Sequence, residues 1–156
     1  AALIFSRAEY AKSIDRAVFP GVQGGPHMNQ IAALAVALHE ASRPEFKRYA
    51  KQVVKNARAL SDELARVGWR IVSGGTDSHL FSVDTMARGV SGGEAEKLLQ
   101  KNHIVVNRES IPFDSRSPQD PSGIRIGTPA VTTRGMKERD MVRLAKKIHT
   151  TLLTRW

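Results

Sequence analysis

Trp69-Arg70-Ile71-Val72-Ser73-Gly74-Gly75-Thr76-Asp77-Ser78-His79-Leu80-Phe81-Ser82-Val83 is where the texture of this sequence changes. Two short runs rich in apolar residues, 69–72 and 80–83, flank a break of glycines and small polar residues. The pattern predicts two strands separated by a turn. Immediately upstream, Phe46, Tyr49, Val53, Ala57, Leu60, Leu64 and Val67 recur at steps of three and four, which puts them on one face of a long helix. Ser42 and Glu45 have the spacing of a capping box at its start, Pro44 suits a first turn, and Gly68 ends it. Most lysines and arginines of this helix lie off the stripe, as expected of a solvated face and less so of a nucleic-acid surface.

Downstream the alternation continues. Ser91 opens a helix with Ala95, Leu98 and Leu99 apolar, and Ile104-Val105-Val106 reads as a third strand. Residues 107–122 read as a polar loop with three prolines, and Gly123 to Gly127 as a short strand. Glu138 to Leu153 is a final helix with Met141, Leu144, Ala145, Ile148 and Leu152 inward. Its acids come early and Lys146, Lys147 and His149 late, which suits the helix dipole. Residues 69–156 are therefore expected to form a compact α+β unit with a mixed or antiparallel sheet. Residues 1 to about 40 differ. Leu3-Ile4-Phe5 reads as the end of a buried strand, 8–17 as a short helix, Val18 to Pro26 as a loop too broken for regular structure, and Met28 to Glu40 as a helix. These elements cannot close a core alone; the long helix, 41–68, joins the two parts.

Composition narrows the class. With 41% hydrophobic and 25% charged residues in 156, the chain is an ordinary globular one, not a disordered one. Its longest apolar run, Ile31 to Leu38, falls far short of the roughly 20 residues of a membrane-spanning helix. No signal pattern opens it, and the absence of cysteine excludes disulfides, thiolate metal sites and a cysteine nucleophile while fitting a reducing compartment. Lysine and arginine number 24 against 15 acids, a net charge of +9, which points to anionic partners: nucleic acid, phosphorylated small molecules or polyanionic cofactors. The apolar start, Ala1-Ala2-Leu3-Ile4-Phe5 without a methionine, leads us to expect sequence upstream.

Three places carry chemistry. Gly24-Gly25-Pro26 precedes a helix, and paired glycines there let backbone N–H groups approach an anion. A plain turn is the alternative, since neither a P-loop nor Gly-x-Gly-x-x-Gly is present. Arg125, in Gly123-Ile124-Arg125-Ile126-Gly127, points away from the two isoleucines. Its guanidinium is placed either for a bidentate grip on a carboxylate or for a salt bridge on an exposed strand. Asp77 and His79 are two apart, which allows an oriented general base; capping of a turn by Thr76 and Asp77 is the plainer reading. The five histidines show no metal-ligand spacing, so no metal is expected.

Val18-Phe19-Pro20-Gly21-Val22-Gln23-Gly24-Gly25-Pro26-His27, Gly74-Gly75-Thr76-Asp77-Ser78-His79-Leu80-Phe81 and Ser122-Gly123-Ile124-Arg125-Ile126-Gly127-Thr128-Pro129-Ala130 occur in this order. Together they make the whole chain resemble the C-terminal part of serine hydroxymethyltransferase, from just past its cofactor lysine. The resemblance implies an α/β pyridoxal-phosphate enzyme of fold type I, the aspartate-aminotransferase-like fold. Residues 1–40 would be the tail of the large cofactor-binding domain, 41–68 a connecting helix and 69–156 the small C-terminal domain. It further implies a cytoplasmic, homo-oligomeric (dimeric or tetrameric) enzyme of one-carbon metabolism and amino-acid biosynthesis. That enzyme interconverts serine plus tetrahydrofolate with glycine plus 5,10-methylenetetrahydrofolate.

By the same resemblance, Gln23, Gly24 and Gly25 would meet the pyridoxal 5'-phosphate from the neighbouring subunit. Arg125 would hold the carboxylate of the amino acid. Phe19, Glu109, Arg116, Ser117 and Pro118 would lie near the folate. Two positions depart from the family pattern: Gln119 stands where an aromatic often follows Ser-Pro, and Glu109 where a folate-contacting asparagine is common. No counterpart of the cofactor lysine occurs within residues 1–156, and the usual base also belongs upstream. The catalytic residues proper would thus lie outside this stretch, which is expected to be inactive without the N-terminal part. Two other readings are a fragment of another fold-type-I enzyme and a basic nucleic-acid-binding module. The latter lacks an aromatic stacking platform, because its few aromatic residues are scattered.

Overall fold

The computed structural model describes residues 2–154, which fall into two compact units divided between Lys47 and Arg48. In the first unit a single 3-10 turn over Ala8–Tyr10 leads into α1 (Ala11–Arg16), and α2 spans Met28–Ala41. None of the described residues of this unit is buried. Two expectations fail here. Leu3, Ile4 and Phe5 form no strand and are exposed, because no described neighbour offers them a ladder. The segment expected to be wholly irregular begins with a wide π-helical turn over Ala17–Val22, closed by Gln23 N–H donating to the Val18 carbonyl at 2.8 Å. Phe19 within it is extended (φ −131°, ψ 126°), so the turn is regular in its hydrogen bonding and not in its dihedrals.

The helix α3 (Pro44–Arg66) starts one residue later than a Ser42 cap would have it. Ser42 instead closes α2, its hydroxyl donating to the His39 carbonyl at 2.7 Å. Pro44 explains the register: without an N–H it takes the first helical position, leaving Arg43 as the residue before the helix. Val53, Asn56, Ala57, Leu60, Ser61 and Leu64 form the buried stripe of α3, whereas Phe46 at the head of the expected stripe is exposed. Gly68 ends the helix at φ +89°, a conformation that favours glycine. The last carbonyls are met by Arg88, which donates from Nε to Gly68 O (3.0 Å) and from Nη2 to Val67 O (3.2 Å) while lying 5.1 Å from the Trp69 ring centroid.

The second unit contains one antiparallel sheet of order β1-β2-β4-β3, formed by β1 (Arg70–Ile71), β2 (Leu80–Asp84), β3 (Asn107–Glu109) and β4 (Gly123–Gly127). The helices α4 (Gly92–Lys101), α5 (Pro129–Thr133) and α6 (Glu138–Leu153) complete it. One apolar cluster joins Leu60 and Leu64 of α3, Phe81, Val83, Ile124 and Ile126 of the sheet, Leu99 of α4 and Met141, Ile148 and Leu152 of α6. Each such side chain contributes roughly 1.5–3 kcal/mol by leaving water. Inside it, Asn56 is fully buried and satisfied: Nδ2 donates to Thr132 Oγ1 and to the Met136 carbonyl, both at 2.9 Å, and Oδ1 accepts from Gln52. Burying an amide is tolerable only with such partners.

The third strand lies later than its sequence suggested. Ile104 to Val106 is not paired; the ladder begins at Asn107, opposite Arg125. Apolar character at 104–106 reflects packing, with Val106 buried and Val105 exposed, whereas the strand is made by the polar residues that follow. Arg108 N–H donates to Glu96 of α4 at 3.2 Å, tying this edge to the helix below. The stretch 107–122 is thus not a loop throughout.

Candidate functional site

Strand β4 alternates as its sequence requires. Ile124 and Ile126 are buried in the core, and Arg125 projects from the opposite, exposed face. The register sets Ser82, Arg125 and Asn107 side by side across three strands, with Glu109 opposite Gly123. Arg125 Nη1 donates to Glu109 Oε1 at 3.4 Å, and the Ser82 hydroxyl donates to Glu109 Oε2 at 2.5 Å. Farther along the same face Arg70 pairs with Asp84 at 2.6 Å.

Both ends of β4 are pinned. A side chain at Gly123 would come within 2.8 Å of the Val83 carbonyl and 2.7 Å of Ile111, so only glycine fits. Thr128 donates from its N–H to His79 O (3.0 Å) and from its hydroxyl to Val53 O (2.8 Å), fixing the strand to α3. Chemically, a guanidinium carried on a pinned strand, with one N–H engaged among the described residues, keeps its Nε–Nη2 edge for a planar carboxylate.

Glu109 therefore stands beside Arg125, a proximity the sequence could not reveal across the long loop. Ser82 and Asn107 complete the cluster and were not singled out from sequence; their alternation on β2 and β3 was the available signal. Arg116, Ser117 and Pro118 lie in the 110–122 loop. The Arg116 guanidinium is engaged by Asp120, with Nη2 to Oδ2 at 2.5 Å and Nε to the carbonyl at 3.0 Å. Ser117 bonds to the Gln119 side chain, and both Ser117 and Pro118 are exposed.

Asp114 organises this loop. Its carboxylate accepts from Ser122 N–H (2.9 Å), Arg116 N–H (2.9 Å), the Ser122 hydroxyl (2.7 Å) and Ile111 N–H (3.3 Å). The Ser122 N–H and then the Arg116 N–H and Ser122 hydroxyl hold its pKa far below the usual carboxylate range. Because the folded value is depressed, Asp114 stabilises the loop fully above the unfolded carboxylate pKa of about 4. That contribution is lost as pH falls below it toward the folded value. Comparing melts of the parent and Asp114→Asn should give a stability gap that is constant from neutral pH to about 5 and shrinks progressively below 4. A gap independent of pH would place the carboxylate's role elsewhere.

In the first unit, Gln23, Gly24 and Gly25 line a cavity of about 810 Å³ together with Val18, Pro26 and His27. A Cβ added at Gly24 or Gly25 would meet nothing within 4 Å, and neither has positive φ. The protein's own packing therefore does not demand glycine at either position. The α2 N-terminus behind them has His27 as its N-cap with no side-chain cap and no acid in its first turn. Open backbone facing a cavity, at the positive end of a 14-residue helix, fits a phosphate group such as that of pyridoxal phosphate. Phe19 is exposed.

The Asp77–His79 alternative resolves as a turn. Thr76 Oγ1 accepts from Ser78 N–H at 3.0 Å and donates to Leu80 O, and Asp77 pairs with Arg58 at 2.6 Å. Among the described residues no group of three or more His, Asp or Glu side chains is arranged to hold a metal, and no helix is long and apolar enough to cross a membrane.

An arginine mounted on a small antiparallel sheet and an open glycine turn ahead of a helix are two places where this chain can meet an anionic ligand. The family model of serine hydroxymethyltransferase matches residues 5–148, and the chain belongs to that family. It is 55% identical over 146 residues to a serine hydroxymethyltransferase of Acidobacterium capsulatum. The match covers 94% of this chain and 34% of that protein, so the chain spans about a third of the length of its relative. A basic nucleic-acid module is not favoured.

Proposed function

We propose that this chain supplies the substrate-carboxylate site and part of the cofactor and folate sites of a serine hydroxymethyltransferase. The reaction is the interconversion of serine plus tetrahydrofolate with glycine plus 5,10-methylenetetrahydrofolate. The observation that carries the reading is Arg125, projecting from the exposed face of β4 with one guanidinium edge open among the described residues. Pyridoxal phosphate, when bound, supplies the electron sink for breaking a bond at the amino acid's α-carbon. Arg125 would contribute by fixing the substrate carboxylate and, through it, the orientation of the bonds at the α-carbon. Gly24 and Gly25 would bind the phosphate through backbone N–H groups, with Gln23 beside them, reaching it from a neighbouring subunit of a homodimer or larger oligomer. Phe19, Ser117 and Pro118 would flank the folate, with Arg116 at its edge.

In this reading residues 1–40 belong to the tail of the large domain, 41–68 to the connecting helix and 69–156 to the small domain, in a cytoplasmic enzyme of one-carbon metabolism. The cofactor lysine comes from the upstream part. Mixing this chain with the upstream part of a serine hydroxymethyltransferase and pyridoxal phosphate is therefore expected to yield a complex with a visible cofactor band that shifts on adding glycine. Two folded fragments that never associate would count against the reading.

A further inference from the structure

We propose that Glu109, itself held by Ser82, is a positioning residue that aims the Arg125 guanidinium at the carboxylate of the amino-acid substrate. The inference rests on the reading of Arg125 as the carboxylate ligand and adds to it what holds that ligand in place. Arg125 is an unbranched side chain on an open sheet face, its side chain 44% exposed, and ordering it on substrate binding would cost side-chain entropy. Glu109 lies on the neighbouring edge strand, 30% exposed, on the same face. One carboxylate oxygen is fixed by a neutral donor, the Ser82 hydroxyl on the other neighbouring strand; the second reaches Arg125 Nη1. The three residues thus span three adjacent strands of one ladder, so the register sets their spacing.

The form of the contact matters. A bidentate Glu–Arg clamp would occupy a whole guanidinium edge and compete with substrate. Here, among the described residues, a single N–H is engaged, at 3.4 Å, and the Nε–Nη2 edge stays open. A carboxylate so placed orients the arginine without filling its binding edge, as a supporting residue should. Its negative charge opposes the incoming carboxylate, and the two effects predict opposite outcomes on its removal.

The test uses the complete enzyme, this chain joined to the upstream part of a serine hydroxymethyltransferase, carrying Ser82→Ala, Glu109→Gln, Arg125→Lys and their pairs. Glycine affinity is read by calorimetry and tetrahydrofolate separately by its KM. Glu109→Gln and Ser82→Ala should each weaken glycine binding about tenfold, the size of one charge-assisted contact, with the folate KM unchanged. The Ser82→Ala, Glu109→Gln pair should be no worse than Glu109→Gln alone, and Glu109→Gln should add nothing to Arg125→Lys. Unchanged or tighter glycine binding in Glu109→Gln, with Arg125→Lys still weak, overturns the positioning role and leaves Arg125 as the ligand. A shift confined to the folate KM overturns it too and makes Glu109 a folate contact. If Arg125→Lys itself leaves glycine affinity intact, the underlying reading fails first. Should Glu109→Gln fold poorly, Ser82→Ala decides, since it removes only the hydroxyl that fixes the carboxylate.

Discussion

Glycine and serine are expected to bind about 100-fold more weakly to the complete enzyme carrying Arg125→Lys, because a lysine offers a point charge where the site needs a planar two-pronged donor. The loss should fall on substrate affinity alone. Arg125 is not in the core, and its ion pair with Glu109 is partly exposed, so the melting temperature should move by no more than about 2 °C. The visible cofactor band should be unchanged in the absence of amino acid, because Arg125 is proposed to touch the substrate and not the cofactor. Equilibrium titration with glycine, monitored through that band, measures the effect directly. Affinity equal to the parent's would remove Arg125 from the site, whereas loss of the band before any glycine is added would mean that the substitution had disturbed cofactor binding.

The part of this site visible in the sequence is the part governed by local periodicity. Ile124, Arg125 and Ile126 on a half-buried strand can only alternate, so the outward direction of Arg125 follows from its neighbours. The stripe on α3 and the glycine at its end are legible for the same reason. What was misread depends on partners distant in sequence. Ile104 to Val106 has the composition of a strand, but a ladder is defined by its neighbour, and β4 pairs with Asn107 to Glu109. The contact between Glu109 and Arg125 depends on a register set across a loop with no periodicity. That loop is held by Asp114, whose four hydrogen bonds include two to Ser122 and leave no pattern in the sequence. The capping box was displaced because two signals competed: Ser42 and Glu45 suggested one start, and Pro44 enforced another. The short helix α5 was missed because five residues carry too little periodicity.

Gly92→Ala should lower the melting temperature by about 10 °C, corresponding to roughly 3 kcal/mol in a chain of this size. Two effects oppose each other at this position. Alanine is favoured over glycine within a helix by about 1 kcal/mol, and Gly92 opens α4, so propensity alone would make the substitution stabilising. Packing decides otherwise. A Cβ on Gly92 would lie 2.2 Å from the Gly123 carbonyl oxygen and 3.0 Å from that of Pro121. Both are backbone atoms, and the Gly92 N–H itself donates to Pro121 O at 2.7 Å, so neither can turn aside without loosening the strand that carries Arg125. Gly25→Ala is the informative contrast, because a Cβ there meets nothing within 4 Å. It should leave the melt of this chain unchanged and, in the complete enzyme, weaken pyridoxal phosphate binding about tenfold by crowding the proposed phosphate site. If instead Gly92→Ala is neutral, the close approach of α4 to β4 is wrong. If Gly25→Ala leaves cofactor affinity untouched, the glycine turn does not meet the phosphate.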